Sequence, residues 1–125
     1  MSVDPNVVVP GMAARIEPIA AKFLPRSREL EIEFNTGMRC RWPVDHLQFT
    51  RSVNGCLSNI DPRPTDEQLA ETELWPSGEV VEFVSIEQAF EVAALMRGEL
   101  GSKRWMDSLL KNKPSLYLTE SVSAM

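Results

Sequence analysis

The chain is poor in the residue types that carry most familiar chemistry. Its 125 residues include two cysteines, one histidine and one tyrosine. Cys40 and Cys56 fit neither a zinc-ligand nor a redox spacing, so they read as reduced thiols of a cytoplasmic protein. There is no Gly-rich phosphate loop, no serine nucleophile elbow and no His-Glu-x-x-His run. No apolar run approaches the roughly 18 residues of a membrane span. Met1 to Met12 lacks the basic start and long apolar stretch of a signal peptide. Basic charge is also scarce. Thirteen Lys and Arg face 18 Asp and Glu, for a net charge of −5. That balance disfavours nucleic-acid binding through bulk electrostatics, though it allows a locally basic face.

What is present is ordinary soluble-protein material, 43% apolar and 25% charged. The length suits one domain with extensions. Such a chain buries about two thirds of its unfolded surface and folds without disulfides or metal. Residues 1–13 form an N-terminal arm, in which Pro5 and Pro10 bracket Val7-Val8-Val9. The arm either packs on something or is a loose tail.

Strand patterning begins at Ala14. The run to Phe23 is mostly apolar, and Pro18 inside it demands an edge position or a bend. Glu29-Leu30-Glu31-Ile32-Glu33-Phe34 alternates strictly, as a half-buried antiparallel strand does. Leu30, Ile32 and Phe34 face the core, and the three glutamates are expected on a wet face. Asn35-Thr36-Gly37 turns the chain. Met38, Cys40 and Trp42 then point inward, while Arg39 and Arg41 pair with the glutamates across the hairpin.

Pro43 ends that strand. Val44 to Phe49 is a short helix or turn, anchored by Leu47 with Val44 or Phe49. Arg51 to Pro64 reads as a loop. Thr65-Asp66-Glu67-Gln68 matches a capping box and starts a short helix. Pro76-Ser77-Gly78 is a tight turn before a strand over Glu79–Val84. Ser85-Ile86-Glu87-Gln88 matches a second capping box. The helix it opens carries Ile86, Ala89, Phe90, Ala93 and Met96 or Arg97 on one face, and stops at Gly98. A last helix starts at Ser102 and ends at Asn112. The sum is α+β: a small, mostly antiparallel sheet with short helices and a C-terminal helix pair. A core domain over 14–97 lies between the arm and a helix-plus-tail segment, 98–125.

Several of these segments, in this order, resemble a bacterial family. They are the hairpin at Asn35-Thr36-Gly37, Trp42-Pro43-Val44-Asp45-His46-Leu47-Gln48, Thr65-Asp66-Glu67-Gln68-Leu69, Glu73-Leu74-Trp75-Pro76-Ser77-Gly78 and Val84-Ser85-Ile86-Glu87. The family is domain of unknown function 2442, and the resemblance covers Ala14 to Met96. Many members have Trp-Pro and acidic residues in the strand after the glycine turn. Here that strand is Val80-Val81-Glu82-Phe83, so no role of those acids carries over. The resemblance implies a compact α+β domain with no catalytic residues to transfer. Some members are fused to a helix-turn-helix, and many are encoded beside a second small gene, as toxin–antitoxin pairs are. That association points toward regulation or partner binding.

The residues themselves hold no catalytic, cofactor or metal set. Cys40 beside His46 could form a nucleophilic pair, but Cys40 is in phase with the core-facing Met38 and Trp42, where a thiol is inert. The C-terminal region is more informative. Trp105, Met106, Leu109 and Leu110 make an apolar stripe at helical spacing. From Arg97 to Lys113, five cations face Glu99 and Asp107, a net of +3 in an acidic chain. The expectation is a non-enzymatic interaction module. Its last helix swings away at a Gly98…Gly101 joint, and its stripe, anchored by Trp105, packs on a protein partner or in a homodimer. Docking of the stripe on its own sheet is the competing arrangement. The alternative function is a DNA-binding regulator or antitoxin that uses the basic helix pair 85–112, with Lys103, Arg104, Lys111 and Lys113 as contacts. An enzyme with a site assembled from loop residues is a third reading. No membrane or small-molecule partner is evident.

Overall fold

The computed structural model describes residues 15–110. The fold is α+β, with three small antiparallel sheets and short helices. The first sheet has the order β1 (Pro18–Leu24), β2 (Glu29–Phe34), β3 (Arg39–Pro43). A 3-10 turn over Val44–His46 leads to a two-stranded ribbon, β4 (Thr50–Val53) and β5 (Cys56–Asn59). Helix α1 (Asp66–Ala70) precedes the third sheet, ordered β6 (Thr72–Leu74), β7 (Val80–Phe83), β8 (Gln88–Glu91). Helices α2 (Val92–Met96) and α3 (Lys103–Leu110) follow. Strand β1 runs beside β6, so the first and third sheets share one core.

The β2–β3 register is as the alternation requires. Leu30, Ile32 and Phe34 are buried, and Glu31 faces Arg41 while Glu33 faces Arg39. The wet-face expectation fails at Glu31, which is only 4% exposed. As the middle of three strands, β2 is flanked on both sides. Lys22 of β1 and Arg41 of β3 lay their stems over Glu31 and place their charges 3.6 and 2.9 Å from its carboxylate. Met38 also departs from its expected inward position. It precedes β3 and is 40% exposed.

Val44, Leu47 and Phe49 are all buried. The capping box at Thr65 is formed: Gln68 N donates to Thr65 Oγ1, and Thr65 N donates to Gln68 Oε1. The expectation of a loop over Arg51–Pro64 is corrected: the β4–β5 hairpin begins at Thr50 and occupies the segment as far as Asn59. Asn54 and Gly55 both have positive φ, +52° and +81°, the requirement of a two-residue type I′ turn.

The helix expected from Ser85 does not form there. Val84–Ile86 is a 3-10 turn, and Glu87 takes a left-handed φ of +52°, which no right-handed helix passes through. The chain then continues as β8, and Gln88 and Phe90 turn inward while Ala89 stays exposed. Phe90 stacks edge-on against Phe49 at 5.6 Å and Phe83 at 6.1 Å. That aromatic cluster stabilises a strand over a helix. The helical remainder is α2, which buries Val92 and Leu95. The basic helix pair 85–112 is therefore corrected to a strand and two short helices within the described residues.

Candidate functional site

Two surface features combine several elements: an apolar groove and a clamp that holds α3. The groove begins where the chain approaches β1. Asn35, the first residue of the β2–β3 turn, holds residues 15–17 extended. Its side-chain oxygen accepts from Glu17 N at 3.1 Å, its amide donates to Arg15 O at 3.0 Å, and its own N–H donates to Glu17 O. This segment faces the 77–80 turn and α2 across a concavity of about 820 Å³. Phe34 and Val92 are buried at its base. Ile16, Met38 and Met96 line it while remaining 58%, 40% and 47% exposed. Exposed apolar side chains gathered around one concavity mark an interaction surface more often than scattered ones do. The groove's charged residues are Glu17, Glu79 and Glu91 against Arg15.

The clamp holds α3 against the 3-10 turn at 44–46. Ser102 caps the helix, its Oγ accepting from Trp105 N at 3.2 Å. Trp105 Nε1 donates to His46 O at 2.7 Å, and its ring lies 5.6 Å from the Arg63 guanidinium. That guanidinium also lies over Phe49 at 5.7 Å. Arg63 Nη2 donates to the carbonyls of Val44 and Leu47, and its Nε sits 3.4 Å from Asp45 without a hydrogen bond. Arg28 pairs with Asp45 and Asp66. Its hydrogen bond to Asp45 is the main reason that carboxylate is held below its ordinary pKa.

Gln48 fixes the approach to α3. Its N–H donates to Leu100 O, its Oε1 accepts from Ser102 N at 2.8 Å, and its Nε2 donates to Asn59 Oδ1. A Cβ at Gly101 would lie 2.6 Å from both Gln48 Cβ and Trp105 Cδ1. Gly101, one end of the Gly98…Gly101 segment expected to act as a swinging joint, is a site of close contact instead.

Trp105, Met106 and Leu109 are half-buried, whereas Leu110 is 67% exposed. Trp105, expected to anchor a partner, is engaged with its own domain. Lys103 and Arg104 are exposed on α3; Lys111 and Lys113 lie outside the described residues, as does the N-terminal arm. Cys40 is half-buried, Cys56 is exposed and neither is in a disulfide. Among the described residues no three His, Cys, Asp or Glu side chains converge as metal ligands. No helix among them is long and apolar enough to cross a membrane. Sequence reasoning missed the groove because it joins residues distant in sequence. The one local signal was Ile16, apolar next to charged Arg15 and Glu17.

The chain matches no known protein-family profile. No curated protein matches it either. A crystal structure of a protein of unknown function from Rhodospirillum rubrum is similar, with a TM-score of 0.57 and 18% sequence identity. The similarity covers 74% of this chain and 98% of that one. It bears on the fold alone, an arrangement that this chain shares with that bacterial protein.

Proposed function

We propose that this protein is a non-enzymatic interaction module of the bacterial cytoplasm, and that its groove receives an extended apolar segment of a partner protein, flanked by basic residues. The observation that carries the reading is the groove itself, where Ile16, Met38 and Met96 stay exposed around one concavity. Glu17, Glu79 and Glu91 outnumber Arg15 there, so charge complementarity favours a basic partner. Engagement of Trp105 by His46 and Arg63 moves the candidate surface from the α3 stripe to the groove. The unpaired thiols accord with a reducing compartment.

The test is a titration with labelled peptides that share one apolar centre and carry either lysine or glutamate flanks. The lysine-flanked peptide is expected to bind more tightly, with an advantage that shrinks as salt is added. Met96→Asp is expected to abolish binding while the domain stays folded. Equal binding of both peptides, or binding unaffected by Met96→Asp, contradicts the proposal.

A further inference from the structure

The β4–β5 ribbon is unusual in this fold because it is a separate two-stranded sheet whose residues beyond Thr50 are all exposed. Such a ribbon is marginal in water without a further strand or a covering surface. Its register tells which edge is open. The two-residue turn makes Val53 and Cys56 a hydrogen-bonded pair, so Ser52 and Leu57 are a non-hydrogen-bonded one. The alternation continues to Ile60, whose N–H donates to Phe49 O at 2.9 Å. The backbone groups of Thr50 and Ser52 therefore point away from β5, and those of Leu57 and Asn59 point away from β4.

The two edges are treated differently. At β4, the Gln88 side chain stands in for a neighbouring strand: Thr50 N donates to Gln88 Oε1 at 3.0 Å, and Gln88 Nε2 donates to Thr50 O at 2.7 Å. At β5, no partner for the outward groups of Leu57 and Asn59 is found among the described residues. The strand also lacks the features that guard natural edges, namely charge, proline and bulges. Its residues are Cys56-Leu57-Ser58-Asn59, with Leu57 77% exposed. By contrast, β3 carries Arg39, Arg41 and Pro43.

We propose that β5 pairs antiparallel with β5 of a second copy, across a two-fold axis at Ser58, so that two ribbons become one four-stranded sheet. A second copy matches this edge donor for acceptor, because its outward groups at Leu57 and Asn59 are symmetric about Ser58. An uncharged strand meets itself without like-charge opposition, whereas β4 would bring Arg51 near its own copy. The register follows from the outward groups. Leu57 opposite Asn59 of the second copy lets both residues of each strand donate and accept. Ser58 then faces its own copy as a non-hydrogen-bonded pair, with Cα atoms about 4.5 Å apart. Cys56 lies out of register with its own copy, beyond disulfide reach.

The test uses the full chain. A Cys56→Ser, Ser58→Cys variant is expected to form a disulfide-linked dimer under mild oxidation, at least about tenfold faster than Cys56 cross-links the wild type, because only position 58 has disulfide geometry. Light scattering of the wild type is expected to show a mass that rises with concentration. Leu57→Pro removes an outward N–H and leaves the β4–β5 ladder intact, so it is expected to give a folded monomer. Cross-linking at position 58 no faster than at Cys56, a wild type monomeric at every concentration, or a dimer that survives Leu57→Pro would each overturn the pairing.

Discussion

Replacing Glu31 by glutamine removes one charge and leaves the shape almost unchanged, and the structure sets what that should cost. The carboxylate is 4% exposed and accepts a charge-assisted hydrogen bond from Arg41 Nε at 2.9 Å. Such bonds contribute about 1.5–3 kcal/mol. Arg41 is half-exposed and the cover over Glu31 is one layer of side chains, so solvent screening reduces this. The Lys22 contact adds little, because Lys22 is 65% exposed. The expected loss for Glu31→Gln is therefore about 1–2 kcal/mol at pH 7. The Arg41 hydrogen bond, opposed by burial and helped by the charges of Lys22 and Arg41, holds the Glu31 carboxyl below its ordinary value. A folded-state pKa below the unfolded one gives stability that is fully present above the unfolded value and lost as pH falls through the folded value. Urea denaturation of both proteins should thus show a gap at pH 7 that closes as the solution is acidified below the ordinary glutamate range. A gap under about 0.5 kcal/mol at pH 7, the size expected of a wet surface position, would show that the buried Glu31–Arg41 pair does not stabilise the fold. So would a gap that does not change with pH.

Phe83→Ala, at a fully buried position stacked on Phe49 and Phe90, should cost about 3–5 kcal/mol in the same assay. Gly101→Ala should displace the Gln48–Trp105 contact. Hydrogen exchange is expected to show faster exchange over α3 with the three sheets unchanged; an unaltered α3 would mean that the close contact does not hold it. Thr65→Ala removes the α1 cap and should cost about 1 kcal/mol, read from the shift in the urea midpoint.

Features set by neighbours in sequence were legible. The alternation in β2, the capping box at Thr65 and the helix start at Ser102 each depend on residues a few positions apart. The β4–β5 hairpin was not read: Asn54-Gly55 is a strong hairpin signal, but Ser, Asn, Gly and Pro around it made the segment look like a loop. From Ser85 onward two periods compete. Ile86, Ala89, Phe90 and Ala93 fit a helix, while Ile86, Gln88, Phe90 and Val92 fit a strand. Phe49, far away in sequence, decides for the strand by offering Phe90 an aromatic partner. Glu31 is hidden by stems from both flanking strands, which alternation within β2 does not encode. The groove and the Trp105 clamp depend wholly on long-range juxtaposition: Ile16 with Met96, and Trp105 with His46 and Arg63.

In the proposed function the apolar groove, not the α3 stripe, receives a partner. Amide chemical-shift mapping of the full chain with the lysine-flanked apolar peptide tests it most directly. The perturbed amides are expected to cluster at residues 15–17, 38, 77–80 and 92–96, with those of α3 unmoved. Perturbations centred on Met106, Leu109 and Leu110 instead would contradict it and return the binding surface to the last helix.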